Sequence, residues 1–290
     1  MRISVVIATK DRARYLERAL ASFGEQRGAP SFEVIVVDNG SSDDTKATVD
    51  AAAKAAKFPI RYVFEKEPNR GKARNRGIAI TEGYLIVFCD DDIVAPPRFL
   101  ASHETAHSTS GLVVSGPIIN VGSYDERPKP SIAHYSGAFL CTCNVSIPKP
   151  LLDEAGDFDE QFDLYGWEDT ELGVRLRDVG ARRRFAWDAY IWHIKPPEEH
   201  TLEVETRKAL EKARMARRFI EKSPSARARL ATGAHPLNIF RGKYVLQDGV
   251  LAILAGLAID EKIPPIFRTI ARAQFIDGMY TKELVHALEE

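Results

Sequence analysis

From Ile3 to Asp92, short apolar runs alternate with stretches of helical periodicity, and this alternation restricts the fold more than any other feature of the chain. Ile3 to Ala8 is a continuous β-rich run, after which Tyr15, Leu16, Ala19, Leu20 and Phe23 recur on one helical face. Val34 to Val37 is a second apolar run, and it ends in Asp38. Ser41 and Asp44 form an S-x-x-D start signal for a helix running through Lys57. Ile60 to Phe64 reads as a third strand, Lys72 to Thr81 as a helix, and Tyr84 to Cys89 as a fourth strand that runs into Asp90-Asp91-Asp92. Such alternation implies parallel strands joined by crossover helices, an α/β sheet. Ligands in these sheets bind at the carboxyl ends of the strands, where Thr9, Asp38 and Asp90 fall.

The middle of the chain is less regular. Leu112 to Ile119 reads as one strand, Gly122 to Ser136 as a polar loop, and Ala138 to Ile147 as another strand. Glu168 to Val179 reads as a helix closed by Gly180, and Phe185 to Ile194 ends the α/β part. Pro196-Pro197 marks a boundary, so the expected division is a domain over 1–197 and a helical extension over 198–290. The extension begins with a charged helix from Thr201 to about Lys222 and has breaks at Pro236, Gly242 and Pro264-Pro265.

Forty basic residues against 41 acidic leave a net charge of -1, which excludes bulk attraction to nucleic acid and requires any phosphate chemistry to come from a local site. Cys89, Cys141 and Cys143 are too few for a disulfide framework and read as small buried hydrophobes. The apolar run near the N-terminus is too short for a signal-peptide core. Gly249 to Ile259 is uncharged but covers only about half of the roughly 20 residues a membrane span needs. The location expected by default is cytoplasmic.

The sharpest chemical feature is Asp90-Asp91-Asp92 directly after a strand. Three adjacent carboxylates repel one another, and a hard divalent cation, Mg²⁺ or Mn²⁺, would offset the repulsion and neutralise a diphosphate leaving group. Glu168-Asp169 opens a helix after Tyr165-Gly166-Trp167, where a positioned carboxylate can take the proton from a hydroxyl nucleophile. Asn69 to Asn75 lies between the third strand and the next helix, and its amides and basic side chains suit phosphate oxygens. His103-Glu104-Thr105-Ala106-His107 matches the H-E-x-x-H zinc signature, but it accounts for none of the other acidic and basic clusters and reads as a partly exposed helix. His193 follows Trp192 at a strand end and could meet a metal or a phosphate.

In this order, Ser4 to Thr9 with Arg12, Val36 to Asp43 with Thr45, Asn69 to Asn75, Phe88 to Asp92, and Gly166-Trp167-Glu168-Asp169 with Glu171-Leu172 resemble the family 2 glycosyltransferases. The likeness covers about residues 1–195. It implies the GT-A fold of nucleotide-diphospho-sugar transferases, a mixed and mostly parallel sheet flanked by helices, to which the residues after 197 add a helical C-terminal extension that the resemblance does not assign. It implies inverting transfer from a nucleotide sugar, with UDP the default, to an acceptor hydroxyl of a glycan, a lipid-linked sugar or another molecule. By the same resemblance Thr9 lines the nucleotide pocket, Asp38 meets the base, and Asn69, Gly71 and Arg74 belong to a loop closing on the nucleotide. Asp90 faces the ribose or a metal, Asp91 is the variable centre of D-x-D on the donor side, and Asp92 is the metal ligand, with His193 helping to hold the metal diphosphate. Asp169 is the base with Glu168 second, and Asn144, Trp167 and the Gly137 to Thr142 segment form the acceptor side.

Two other classes compete. A nucleotidyltransferase making nucleotide sugars would want a glycine-rich loop after the first strand, and Thr9-Lys10-Asp11-Arg12 has no glycine. A non-catalytic glycan- or nucleotide-sugar-binding module would need no base. In the C-terminal region, the basic residues Lys208, Lys212, Arg214, Arg217 and Arg218, followed by the apolar Val250 to Ile259, suit peripheral contact with a membrane.

Overall fold

A computed structural model of the chain describes residues 2–195 and 200–290, so the expected boundary at Pro196-Pro197 lies outside the described residues. The chain divides into two compact units, Met1–Asp163 with Glu168–Lys195, and Leu164–Trp167 with Pro196–Glu290.

The first unit opens with β1 (Ile3–Thr9), α1 (Ala13–Gly24), β2 (Phe32–Asp38), α2 (Thr45–Ala55), β3 (Ile60–Phe64), α3 (Arg70–Ala79) and β4 (Leu85–Cys89), the alternation expected from the apolar runs. It continues through β5 (Ile93–Val94), α4 (Phe99–Ala106), β6 (Leu112–Ser115), β7 (Ile118–Val121), a 3₁₀ turn at Ile132–His134, β8 (Asn144–Pro148), α5 (Lys149–Ala155), α6 (Glu168–Asp178), β9 (Arg182–Phe185) and β10 (Ile191–Ile194). The main sheet has seven strands in the order β3-β2-β1-β4-β8-β6-β9, and all but β8 run in one direction. Every residue of β4 is buried, as an interior strand covered on both faces requires. A smaller sheet, β5-β10-β7, brings Ile194 N onto the Asp92 carbonyl at 2.8 Å.

Local chemistry moves several boundaries from those read in the sequence. The expected helix from Lys72 begins earlier, because Asn69 caps it and accepts from Lys72 N at 2.8 Å. Gly71, Arg74 and Asn75 are therefore on helical turns and not in a loop. The expected strand from Leu112 to Ile119 is two strands in different sheets. The break falls at Gly116, where a Cβ would sit 1.8 Å from the Ala189 carbonyl oxygen, so only glycine lets the chain cross between sheets there. Of Ala138 to Ile147, only the end from Asn144 pairs as a strand, and the first half crosses the face of α6 with Leu140 and Phe139 against Gly173.

The H-E-x-x-H match resolves into a core network. His103 is fully buried, its Nδ1 2.8 Å from Ser146 Oγ and its Nε2 2.9 Å from Asn144 Oδ1, while His107 Nε2 lies 2.8 Å from the same Ser146 Oγ. Glu104 pairs instead with Arg2. Burial holds His103 at about 3 and His107 at about 4, so both rings are neutral in the fold, against 6.5 for a free histidine. The unfolded chain therefore takes up protons that the native state refuses. Stability from this pair is complete above pH 6.5 and is lost as pH falls toward about 4 and then 3. We expect the thermal midpoint to fall between pH 6.5 and 4.5, and His103→Gln to flatten that slope. An identical slope in wild type and variant would rule the histidines out as its cause.

The second unit is helical: α7 (Leu202–Lys222), α8 (Ala226–Ala231), α9 (Pro236–Phe240), a π-helical turn at Arg241–Val245, α10 (Asp248–Ile259) and α11 (Pro265–Glu289). Proline begins α9 and α11, and Gly242 lies in the π turn, where a Cβ would press on Val285 at 2.8 Å. Ala213, Ala216, Ile220, Ala234 and Leu284 form its core.

Candidate active site

The carboxyl ends of β1, β2 and β4 lie side by side, since Thr9 is in register with Asp38 and Ile7 with Cys89. Thr9 Oγ1 donates to Asp91 Oδ2 at 2.6 Å. Asp91 and Asp92 are 3% and 5% exposed, and the repulsion expected between them is answered within the chain. Arg12 donates to Asp91 Oδ1 at 2.9 Å and to Asp92 Oδ2 at 2.8 Å. Burial pushes the Asp91 carboxyl up to about 7 against the pull of Arg12. Burial acts the same way on Asp92, but His193 and Arg12 outweigh it and hold that carboxyl at about 2.

Asp92 Oδ1 is buried without a hydrogen-bond donor, yet His193 Nε2 stands 3.0 Å away. His193 Nδ1 faces Asn120 Oδ1 at 3.1 Å. The ring thus stands between the Asn120 amide oxygen and the Asp92 carboxylate. Ligand atoms of Asp90, Cys143 and His193 also lie within 4.8 Å of one another. Oxygen, nitrogen and sulfur donors thus meet at this point, and the residues fit a divalent cation. Cys143 went unrecognised in the sequence because nothing in its neighbours distinguishes it from a buried hydrophobe. Burial and the adjacent Asp90 push its thiol well up.

The second acidic group stands at the start of α6. Glu168 is buried, and Arg74 donates to its Oε1 at 3.3 Å while lying 3.8 Å from Asp169 Oδ1. Burial and the neighbouring Asp169 raise the Glu168 carboxyl, with Arg74 opposing them. Asp169 is more open, its side chain 23% exposed, and Thr142 donates to its Oδ2 from the backbone at 2.8 Å and from the hydroxyl at 3.0 Å. Arg74 thus sits between acids, also within the field of Asp90, and not on a mobile loop as the sequence suggested.

Asp38 is 2% exposed, and its oxygens accept from Ser41 N and from the Tyr62 hydroxyl, each at 2.7 Å. The loop after β1 is laced to the loop after β2: Asp11, at φ 53°, accepts from Ser42 N at 2.7 Å, and Asp43 accepts from Ala13 N at 2.9 Å. An aspartate tolerates this left-handed conformation better than most residues. Asn69 N donates to Asn39 Oδ1 at 2.9 Å, and Gly71 packs where a Cβ would touch Asn69, Asp159 and Phe158 at 3.4 Å.

The two residues expected on the acceptor side make other contacts. Asn144 is 1% exposed, and its amide spans His103 and the carbonyls of Pro117 and Ala189, so its side chain is committed to the interior. Trp167 belongs to the second unit, where its ring stacks on Phe219 at 5.4 Å and its N–H donates to the Lys212 carbonyl at 2.8 Å.

Comparison with known proteins places the chain among glycosyltransferases. The chain is 29% identical to validoxylamine A glucosyltransferase of Streptomyces hygroscopicus subsp. limoneus, an alignment covering 77% of this chain and 57% of that protein. It spans about three fifths of the length of such curated relatives. Mannosyltransferase PcManGT from Pyrobaculum calidifontis, solved with GDP-Man and Mn²⁺, superposes with a TM-score of 0.62 at 19% identity over 97% of this chain and 86% of its own. S. aureus TarS 1-349 with UDP-GlcNAc gives 0.58 at 21% identity, covering 100% and 93%. These likenesses show the GT-A fold. Residues 4–158, more than half of the chain, match glycosyl transferase family 2, and with the acidic strand ends of a GT-A sheet behind that match, the chain belongs to this family.

Proposed function

We propose that the chain moves a sugar from a nucleotide-diphosphate sugar, UDP-linked by preference, to an acceptor hydroxyl with inversion, in the synthesis of a polysaccharide or glycoconjugate. The observation that carries this reading is the pairing of a cation-ready group, Asp92 Oδ1 facing His193, with a separately braced and more open carboxylate, Asp169. Asp92, Asp90 and His193 would hold Mn²⁺ or Mg²⁺, which when bound neutralises the diphosphate as it leaves. Thr9 and the Asn39 to Ser42 turn line the nucleotide side, and Asp38, with acceptor capacity left on each oxygen, meets the base. Asn69 and Gly71 fix the start of α3 beside that turn. Thr142 aims Asp169 at the acceptor hydroxyl, whose proton it takes as the oxygen attacks the anomeric carbon. Arg74 keeps the paired acids compact.

A thermal-shift series tests this. UDP with Mn²⁺ at about 100 times its Kd is expected to stabilise the chain by about 2.7 kcal/mol, and EDTA is expected to remove the effect. Binding of UDP unchanged by EDTA would overturn the metal assignment, and no binding of any nucleoside diphosphate would overturn the donor class.

A membrane-bound acceptor is the second element of the proposal. Among the described residues no single helix is long and apolar enough to cross a membrane, although Pro236–Val245 and Asp248–Ile259, bent by 88°, pass that test together. Leu237, Phe240, Tyr244, Ile253, Ile259 and Phe267 are each more than half exposed, which supports peripheral insertion. Vesicles containing anionic lipid are expected to carry the chain upward in a flotation gradient, and Phe240→Glu to weaken this. Absence of wild-type flotation would remove the membrane from the reading.

A further inference from the structure

At the edge of the main sheet three aromatic residues and an arginine form a cluster that the proposed chemistry leaves unused. Phe185 ends β9, and the Tyr135 and Trp187 rings meet it edge-on, each at 4.9 Å and at 62° and 77°. Tyr135 and Trp187 are tilted by only 33° to each other, with centroids 6.3 Å apart, and are 53% and 40% exposed. The Arg183 guanidinium lies 5.4 Å from both the Tyr135 and Phe185 rings, donates to the Tyr135 hydroxyl at 3.3 Å, and also donates to the Ser136 carbonyl. The Trp187 indole N–H has no acceptor among the described residues. Exposed rings held this firmly by a backing ring and a cation keep their geometry without a ligand, and a persistent exposed aromatic patch marks a binding surface.

The sheet fixes where the cluster stands. β6 is antiparallel to β8, which is antiparallel to β4, so β6 and its parallel partner β9 end at the same edge as β4. From β4 to β9 is three strand intervals, roughly 14 Å at about 4.8 Å each. Tyr135 begins a segment that returns along α6, where Arg177 lies 4.3 Å over the Phe139 ring, to reach Asp169 at Thr142. The cluster is therefore on the carboxyl edge, on the side of Asp169 away from Asp38, and further from the reaction centre than one sugar ring extends.

We propose that Tyr135 and Trp187 form a stacking platform for a sugar residue of the acceptor, more than one unit from the residue that reacts, and hence that the acceptor is an oligosaccharide or a longer glycan chain. A pyranose offers one face of C–H groups polarised by neighbouring oxygens, which suits the electron-rich face of an aromatic ring. Its equatorial hydroxyls need donors and acceptors at the ring edge, and Arg183, the Tyr135 hydroxyl and the Trp187 N–H supply them. An apolar peptide would leave these polar groups without use. The inference rests on the glycosyltransferase reading for the nature of the acceptor.

The test probes the full chain against an immobilised panel of mono-, di- and tetrasaccharides of β-linked glucose, N-acetylglucosamine and mannose, with UDP and Mn²⁺ binding measured on the same preparations. Wild type is expected to bind at least one tetrasaccharide in preference to its monosaccharide. Trp187→Ala and Tyr135→Ala are expected to weaken that binding by about tenfold, and Trp187→Phe to restore most of it. Retained UDP binding by the variants shows that the fold survives. Wild-type binding to no saccharide, variants that bind as wild type does, or a self-association that Trp187→Ala abolishes would each overturn the platform. Saccharide binding lost in Trp187→Ala with no UDP binding in wild type would keep the platform and remove the glycosyltransferase reading instead.

Discussion

Asp169→Asn is expected to leave nucleotide affinity near normal and to cut transfer by about 10²- to 10⁴-fold, the range lost when a positioned base is removed. The substitution keeps the side chain's shape, and its carbonyl oxygen can still accept from Thr142 N, so the start of α6 has no reason to move. What disappears is an oxygen able to take a proton. The neighbouring Glu168 is the control: its side chain is 10% exposed and tied to Arg74 at 3.3 Å, whereas the Asp169 side chain is 23% exposed. Glu168→Gln is therefore expected to disturb packing around Arg74 more than turnover. Single-turnover transfer with a saturating donor separates the outcomes. Full turnover in Asp169→Asn with none in Glu168→Gln would move the base by one residue, and full turnover in both would place it elsewhere.

Arg12→Ala is expected to destabilise the first unit by about 3 kcal/mol or more, because it leaves adjacent buried carboxylates without their shared cation. Lysine should recover only part of the loss, since one ammonium cannot copy a guanidinium that donates separately to Asp91 and Asp92. Urea titration of the wild type, Arg12→Lys and Arg12→Ala should rank in that order. Equal midpoints would mean that the acids are neutralised by another group.

The architecture was largely legible before the structure, and the reason is physical. Strands buried on both faces read as unbroken apolar runs, and parallel strands put their last residues at one edge, so Thr9, Asp38 and Asp90 could be brought together from spacing alone. The antiparallel β8 and the sheet change at Gly116 were not legible, because they depend on contacts with Tyr84 and Ala189, which lie far from them along the chain. The same limit hid the Arg12 clamp. Three repelling carboxylates in sequence call for an external cation, whereas Arg12, 79 and 80 residues away along the chain, already bonds two of the three. The surroundings of Trp167 were hidden for a different reason: its neighbours in sequence are catalytic candidates, but its backbone takes φ 74° and its ring packs on the core of the second unit. The interior role of Asn144 depends on His103, a residue whose motif pointed toward zinc.

The order β3-β2-β1-β4-β8-β6-β9 bears on how such a gene can diverge. On the proposed reading, the nucleotide is handled by strands on one side of β4 and the acceptor by those on the other, and the groups share little beyond β4 and the acids at its end. The stretch matching the family ends at residue 158, before α6 and β9 begin. Substitutions at Phe185 or Trp187, beyond that stretch, can then accumulate under selection for a new acceptor while Thr9, Arg12 and Asp38 stay constrained by an unchanged donor. Lineages descended from one ancestor would then differ in acceptor while keeping one donor site.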